Sequence, residues 1–226
     1  MTLRQASAVD AVPFRSATQI DTAIGIATAI LRRHGVLAYP TETVYGFGGA
    51  VDREGVDAVF ALKGRDPAKR FLLLVDGFPM IANIRLRLDG PARALAERHW
   101  PGALTLVLPG EGEGLPEELR GAGGGVAVRW TSHYGVTRLL EAYGGPITST
   151  SANRPGVPPA MSAEEIVSEW GEAISRGALM VLDGGRLEPS APSTVVDCTG
   201  PRPRVIRPGA IPVRVLRDSV PELGDV

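Results

Sequence analysis

The segment Tyr39-Pro40-Thr41-Glu42-Thr43-Val44-Tyr45-Gly46-Phe47-Gly48-Gly49-Ala50 constrains the fold more than any other stretch of this chain. It starts in an apolar run, Val36 to Tyr39, which predicts a buried strand stopped at Pro40. Thr41, Glu42 and Thr43 are residue types that hold backbone N–H groups and face ligands. Gly46, Gly48 and Gly49 let the backbone approach a neighbour that a Cβ would block. A strand leading into a hydroxyl- and glycine-rich turn is a common small-molecule site in α/β proteins. A tight strand-to-helix connection without a ligand would carry the same residues. Neither the P-loop nor the dinucleotide glycine spacing is present, which argues against a standard nucleotide fold.

The rest of the chain narrows the class. Its 226 residues suffice for one core, and a single domain is expected over 1–226, with a core at about 17–211 and a loosely ordered tail at 212–226. No apolar run is long enough to span a bilayer, and the first fifteen residues lack the pattern of a signal peptide, so a cytoplasmic protein is expected. The one cysteine, Cys198, excludes a disulfide framework, and His34, His99 and His133 show no ligand spacing, so no metal site is expected. A net charge of −1 argues against a strongly basic nucleic-acid-binding domain. Only two lysines occur, Lys63 and Lys69, and both fall in the segment Lys63-Gly64-Arg65-Asp66-Pro67-Ala68-Lys69-Arg70. That loop is either solvated surface or an anion clamp, with arginine as a flat fork of donors and lysine as a compact charge.

Helical periodicity covers Ala17 to His34, with Thr18 as the expected N-cap and Gly35 as the stop. Further helices are expected at about 53–62, 91–99, from Ser132 to Tyr143 and at 163–170, the last capped by Ser162. Strands are expected at 71–75, 104–108, 126–130, 147–151, 179–182, 194–197 and 204–206. Pro109 to Gly125, with seven glycines, predicts a long mobile loop. Strands alternate with helices early and follow one another late, the pattern of one mixed sheet with helices packed on it. Arg129 ends an apolar strand and must find a partner, either in a structural salt bridge or in a ligand. Ile147-Thr148-Ser149-Thr150-Ser151-Ala152-Asn153 forms a second hydroxyl-rich strand end.

In order and spacing, these blocks resemble the YrdC-like family of threonylcarbamoyl-AMP synthases. The resemblance covers roughly Ala17 to Ile211. It is carried by the Tyr39–Gly46 block, Lys63-Gly64-Arg65, Trp100-Pro101-Gly102-Ala103-Leu104-Thr105, Val126-Ala127-Val128-Arg129, Ser149-Thr150-Ser151-Ala152-Asn153 and Pro192-Ser193-Thr194-Val195-Val196-Asp197. It implies an open twisted α/β sheet around a large, concave, positively charged cavity. The family's K-x-R and S-x-N signature falls on Lys63, Arg65, Ser151 and Asn153, its threonine-binding position on Thr43, and its later arginines on Arg129 and Arg207. Longer members carry an asparagine where this chain has Lys69, a histidine near Leu74 and a threonine at Met161, and they add a linker tyrosine and a second domain. The chain therefore looks like the short type.

The resemblance implies that L-threonine, bicarbonate and ATP become threonylcarbamoyl-AMP and pyrophosphate, for threonylcarbamoyladenosine in tRNA. Both reactants are anionic, so positioning by cations should outweigh acid–base work. Lys63 and Arg65 are the implied catalytic pair. Arg65, Lys69, Ser151, Asn153, Ser193 and Arg207 would hold ATP, while Thr43, Arg129 and Ser151 would hold threonine, with Arg129 as a two-pronged carboxylate clamp. Mg²⁺ would arrive on ATP. Downstream tRNA-modifying proteins are implied partners, with tRNA or double-stranded RNA as a further one. Two other readings stay open: an RNA-binding relative without synthase activity, and a carbamoyl-adenylate enzyme acting on another amine.

Overall fold

Local signals set where the helices begin, though not always at the expected residue. Helix α1 (Ala17–Arg32) starts from a capping box in which Ser16 Oγ accepts from Gln19 N and Gln19 Oε1 accepts from Ser16 N. Ser16 thus displaces Thr18 as the cap, because only it stands three residues before a glutamine that can reach back. The helix ends one residue earlier than the glycine signal suggests, with His34 in the left-handed region at φ 61°. Asp52 caps α2 (Arg53–Lys63) by accepting from Gly55 N at 2.8 Å. His133, not Ser132, caps α5 (Tyr134–Tyr143), its Nδ1 accepting from Val136 N. Ser162 caps α6 (Ala163–Ser175) as expected. The remaining helices are α3 (Phe78–Asn83), which no sequence signal marked, α4 (Gly90–His99) and α7 (Val213–Arg217). These features come from a computed structural model that describes residues 11–64, 71–112, 114–121 and 123–225.

Among the described residues the strands are β1 (Val12–Pro13), β2 (Val36–Tyr39), β3 (Gly46–Gly48), β4 (Leu72–Leu74), β5 (Leu104–Leu108), β6 (Val126–Arg129), β7 (Ile147–Ser151), β8 (Leu179–Asp183), β9 (Thr194–Asp197) and β10 (Arg204–Arg207). They form one open mixed sheet in the order β1-β8-β2-β3-β7-β4-β6-β5-β9-β10. The glycine segment is therefore not a turn. Gly46–Gly48 is itself a strand, antiparallel to both β2 and β7. A Cβ on Gly48 would drive into Thr148 O and lie 2.7 Å from the Tyr39 hydroxyl, so the neighbour that requires glycine here is the sheet itself.

Alternation along the strands separates two cores. Leu37, Tyr39, Leu74, Ile147 and Leu182 face α1 and α5. Val36, Ala38, Phe47, Leu73, Val128 and Val196 face the other side, with buried residues of α2, α4 and α6. Helices α1 and α5 cover only part of their face. Beyond Leu74 and Ile147 that face continues into a row paired across the sheet, Ser149–Leu72–Ala127–Val107–Asp197. The uncovered part of this face is the floor of a cavity.

The tail departs from expectation. After Ile211 the chain forms α7, and Leu216, Val220 and Leu223 are buried in the larger core. Gly224 also pairs with Arg204. The apolar spacing Leu216–Val220–Leu223 anchors the tail. The described residues of the 109–125 segment are likewise tied down: Leu119 is buried in a 3-10 turn, and Arg120 donates to the carbonyls of Gly110, Glu111, Gly112 and Gly124. Among the described residues, no helix is long and apolar enough to cross a membrane.

Candidate functional site

A cavity of about 360 Å³ opens over the uncovered face, lined by both hydroxyl-rich strand ends. Thr41, Thr43, Thr105, Ser149, Thr150, Ser151 and Ser193 contribute hydroxyls, and Arg129 and Arg207 contribute cations. No carboxylate or histidine is among the described lining residues. This is an anion-binding composition with no group suited to general-base work. Arg207 is drawn below the ordinary arginine value by burial and then by the positive charge of Arg129. An anion bound between the two arginines would relieve that repulsion.

Three clusters build the site. In the first, Arg129 at the end of β6 is 5% exposed. Its Nε donates to Gly102 O at 3.2 Å, and Nη1 and Nη2 each donate to Thr43 Oγ1 at 3.2 Å. Nη2 also lies 2.7 Å from Glu42 Oε1. That oxygen is off the line of any N–H, so the contact is a coulombic pair rather than an aligned hydrogen bond. Thr131 Oγ1 donates to Glu42 Oε2. Burial alone would raise the Glu42 carboxyl, but the Arg129 guanidinium and the Thr131 hydroxyl together hold it below its ordinary value. Thr43 is fully engaged as well. Thr41 Oγ1 donates to Val44 O at 2.7 Å, so its 3.0 Å contact with Thr43 Oγ1 takes the Thr43 proton, and Arg129 occupies the Thr43 lone pairs. The expected two-pronged clamp is therefore not free: most of the Arg129 donors already serve the protein.

In the second cluster Lys63 is not an exposed loop residue. It is the last residue of α2, only 6% exposed, under the left-handed cap Gly64. Nζ donates to Ser151 O at 2.5 Å, Asn153 Oδ1 at 3.0 Å and Thr150 Oγ1 at 3.4 Å. Ser151 Oγ donates to the same Asn153 Oδ1 at 2.7 Å, and Asn153 Nδ2 donates to Val157 O. The structure thus brings the K-x-R lysine and the S-x-N pair together, with Lys63 behind the cavity wall rather than in it. Arg65 and Lys69 lie outside the described residues.

The third cluster joins Arg207 on β10 to Ser193. Arg207 Nη2 donates to Ser193 O at 2.9 Å and to Ser193 Oγ at 3.2 Å, and Ser193 Oγ lies 2.8 Å from Thr105 Oγ1. Sequence reasoning placed Glu42 in the ligand-facing segment but missed its pairing with Arg129, and it missed Thr131 and Thr105 as members of the site. The signal for Glu42 was present, as the sole acid in a hydroxyl-rich segment, but its partner is 87 positions away. Leu74, where longer members place a histidine, is fully buried against the α1–α5 side. Away from the cavity, His34, Asp52 and Glu54 bring ligand-type atoms within 4.8 Å of one another, and Asp52 Oδ1 there already serves as the α2 cap. Cys198, beside β9, is pushed up to about 12 by burial and then by Asp197, which makes it a poor nucleophile at neutral pH.

Residues 29–209 match the Sua5/YciO/YrdC family model, described as "Telomere recombination". The chain is 41% identical over 175 residues to a threonylcarbamoyl-AMP synthase of Chromohalobacter salexigens, covering 77% of this chain and 91% of that protein. It is 34% identical over 201 residues to the Pyrococcus abyssi threonylcarbamoyl-AMP synthase, covering 88% of this chain but 58% of that one. The crystal structure of P. abyssi Sua5 complexed with L-threonine superposes with a TM-score of 0.84 at 31% identity, over 95% of this chain and 62% of that chain. Escherichia coli YciO superposes with a TM-score of 0.77 at 26% identity, over 90% of this chain and 96% of that chain. On the extent of these matches, this chain belongs to the Sua5/YciO/YrdC family.

Proposed function

We propose that this protein is an L-threonylcarbamoyl-AMP synthase, a nucleotidyltransferase that joins L-threonine, bicarbonate and ATP and releases pyrophosphate. The observation that carries the reading is the cavity lining: two like-charged arginines and seven hydroxyls on one open sheet face, with no described carboxylate or histidine. The relatives named threonylcarbamoyl-AMP synthase, and the P. abyssi Sua5 complex with L-threonine, supply the substrate class.

In this reading the threonine amine attacks the carbon of bicarbonate, and loss of water leaves an N-carboxylate. A carbamate oxygen then attacks the α-phosphorus of ATP, and the bond to the β-phosphate oxygen breaks to release pyrophosphate. Bringing two anions together is the main obstacle, and fixed cations and hydroxyls meet it by positioning and charge stabilisation. Arg207, Ser193, Ser151 and Asn153 hold ATP. Arg129 and the segment around Thr43 between β2 and β3 hold threonine. Lys63 pins the Ser151–Asn153 corner, and Arg65 and Lys69 are assigned to the phosphates from their place in the sequence. The described lining residues supply no carboxylate ligand for Mg²⁺, so the ion would come with ATP, held by phosphate oxygens and water. The product, a mixed anhydride, would be consumed by tRNA-modifying proteins.

The test is incubation of purified protein with ATP, bicarbonate and labelled threonine. Pyrophosphate release that requires threonine, with label appearing in an adenylate, is the expected result. Release without threonine would point to another amine, and no release to a non-synthase relative; either overturns the reading.

A further inference from the structure

We infer that Glu42 is a positioning residue, which acts on the reaction through Arg129 without touching substrate. Glu42 is absent from the cavity lining, whereas Thr43 and Arg129 are both in it. Its carboxylate sits behind the guanidinium, with Oε1 2.7 Å from Nη2 and Oε2 held by the Thr131 hydroxyl. Thr131 is fully buried, and its Oγ1 also accepts from His133 N at 3.2 Å, which ties this support to the start of α5.

This arrangement decides what Arg129 can offer a ligand. Nε–H is committed to Gly102 O, one N–H each of Nη1 and Nη2 to Thr43 Oγ1, and Nη2 also makes the coulombic contact with Glu42 Oε1. Among the described contacts the second N–H of each Nη has no aligned acceptor, but the one on Nη2 stands beside the Glu42 carboxylate, which repels an anion, so Nη1 is the side open to a ligand. A substrate carboxylate would therefore receive one directed, charge-assisted bond from a guanidinium that cannot swing. Without the Glu42 charge the guanidinium can rotate, offer two N–H groups and present an uncompensated positive charge. Ground-state attraction for an anion would then hold or grow, while the orientation of the bound amine would be lost. Misplacement on the scale of an ångström can cost about a hundredfold in rate.

The inference rests on the synthase reading, and the experiment separates the two. Kinetics of threonine-dependent pyrophosphate release are measured for the wild type, Glu42→Gln and Thr131→Val. The expected result for Glu42→Gln is a kcat about tenfold to a hundredfold lower, with a threonine KM that is unchanged or lower. Thr131→Val, which loosens Glu42 but keeps its charge, is expected to shift kcat in the same direction by a smaller factor, and it serves if Glu42→Gln does not fold. A kcat within about twofold of wild type in the folded variant would overturn the inference in favour of a purely structural pair. A threonine KM that rises with kcat intact would overturn it in favour of direct contact. A readout independent of catalysis is the Nε–H resonance of Arg129, protected from exchange in wild type by Gly102 O. Its protection should fall in Glu42→Gln, and unchanged protection overturns the inference whatever the enzyme's activity. A wild type inactive with threonine overturns the synthase reading alone and leaves the resonance test standing.

Discussion

Replacing Lys63 by methionine keeps the side-chain stem and removes the ammonium. The structure then predicts two separate losses. Ser151 O at 2.5 Å loses its lysine donor, and Asn153 Oδ1 at 3.0 Å keeps only the Ser151 hydroxyl at 2.7 Å. The 3.4 Å contact to Thr150 is weak enough to ignore. One charge-assisted bond is worth roughly 1.5–3 kcal/mol, and the relief of desolvating an ammonium offsets part of it. A net destabilisation of about 1–3 kcal/mol would lower Tm by roughly 2–12 °C in a domain of this size. Activity should fall further than stability, because the Ser151–Asn153 corner loses both its fixed charge and its orientation. Loss of one oriented charge-stabilising donor costs on the order of a hundredfold or more in kcat. The assay is threonine-dependent pyrophosphate release well below the measured Tm, with calorimetry on the same preparation. A Tm within about 1 °C of wild type would refute the structural part of this argument. Near-wild-type turnover would refute the role of Lys63 in holding the Ser151–Asn153 corner for the reaction.

Other outcomes follow from single contacts. Gly48→Ala should destabilise the fold by about 1–3 kcal/mol or prevent folding, because Thr148 O and the Tyr39 ring leave no room between β3 and its neighbours; urea denaturation checks it. The Glu42 carboxyl is held below its ordinary value in the folded state, so its contribution to stability is fully present above the unfolded carboxylate value and is lost as pH falls through the folded one. The acid limb of the stability–pH curve should therefore be shallower in Glu42→Gln, and superimposable curves would contradict the ion pair. Cys198, pushed up to about 12, should resist alkylation by iodoacetamide at pH 8 in the folded protein, with activity unaffected; rapid labelling would show a thiol more exposed and more acidic than this.

Much of the architecture was legible in the sequence, because it depends on local periodicity and local caps. The apolar spacing of α1, the runs that became β2, β5, β6 and β9, and the Ser162 cap need only neighbours a few residues away. The residue types of the site were legible for a related reason: hydroxyls, glycines and lone arginines at strand ends are unusual enough to stand out. Pairing across the sheet decided the rest. The strand of Gly46–Gly48 looked like a turn because nothing nearby in sequence shows that β7 will lie against it. Lys63 looked exposed because its acceptors stand about ninety positions on, and the partner that Arg129 had to find could not be named because Thr43 and Glu42 precede it by a similar distance. The last segment looked loose because its apolar residues only find a core once β9 and β10 are in place. Sequence determined which side chains could bind anions; tertiary structure decided which of them are already bound by the protein. The physical reason is that a buried polar group must be satisfied by whatever the fold brings within reach, and that reach is not a property of the local chain.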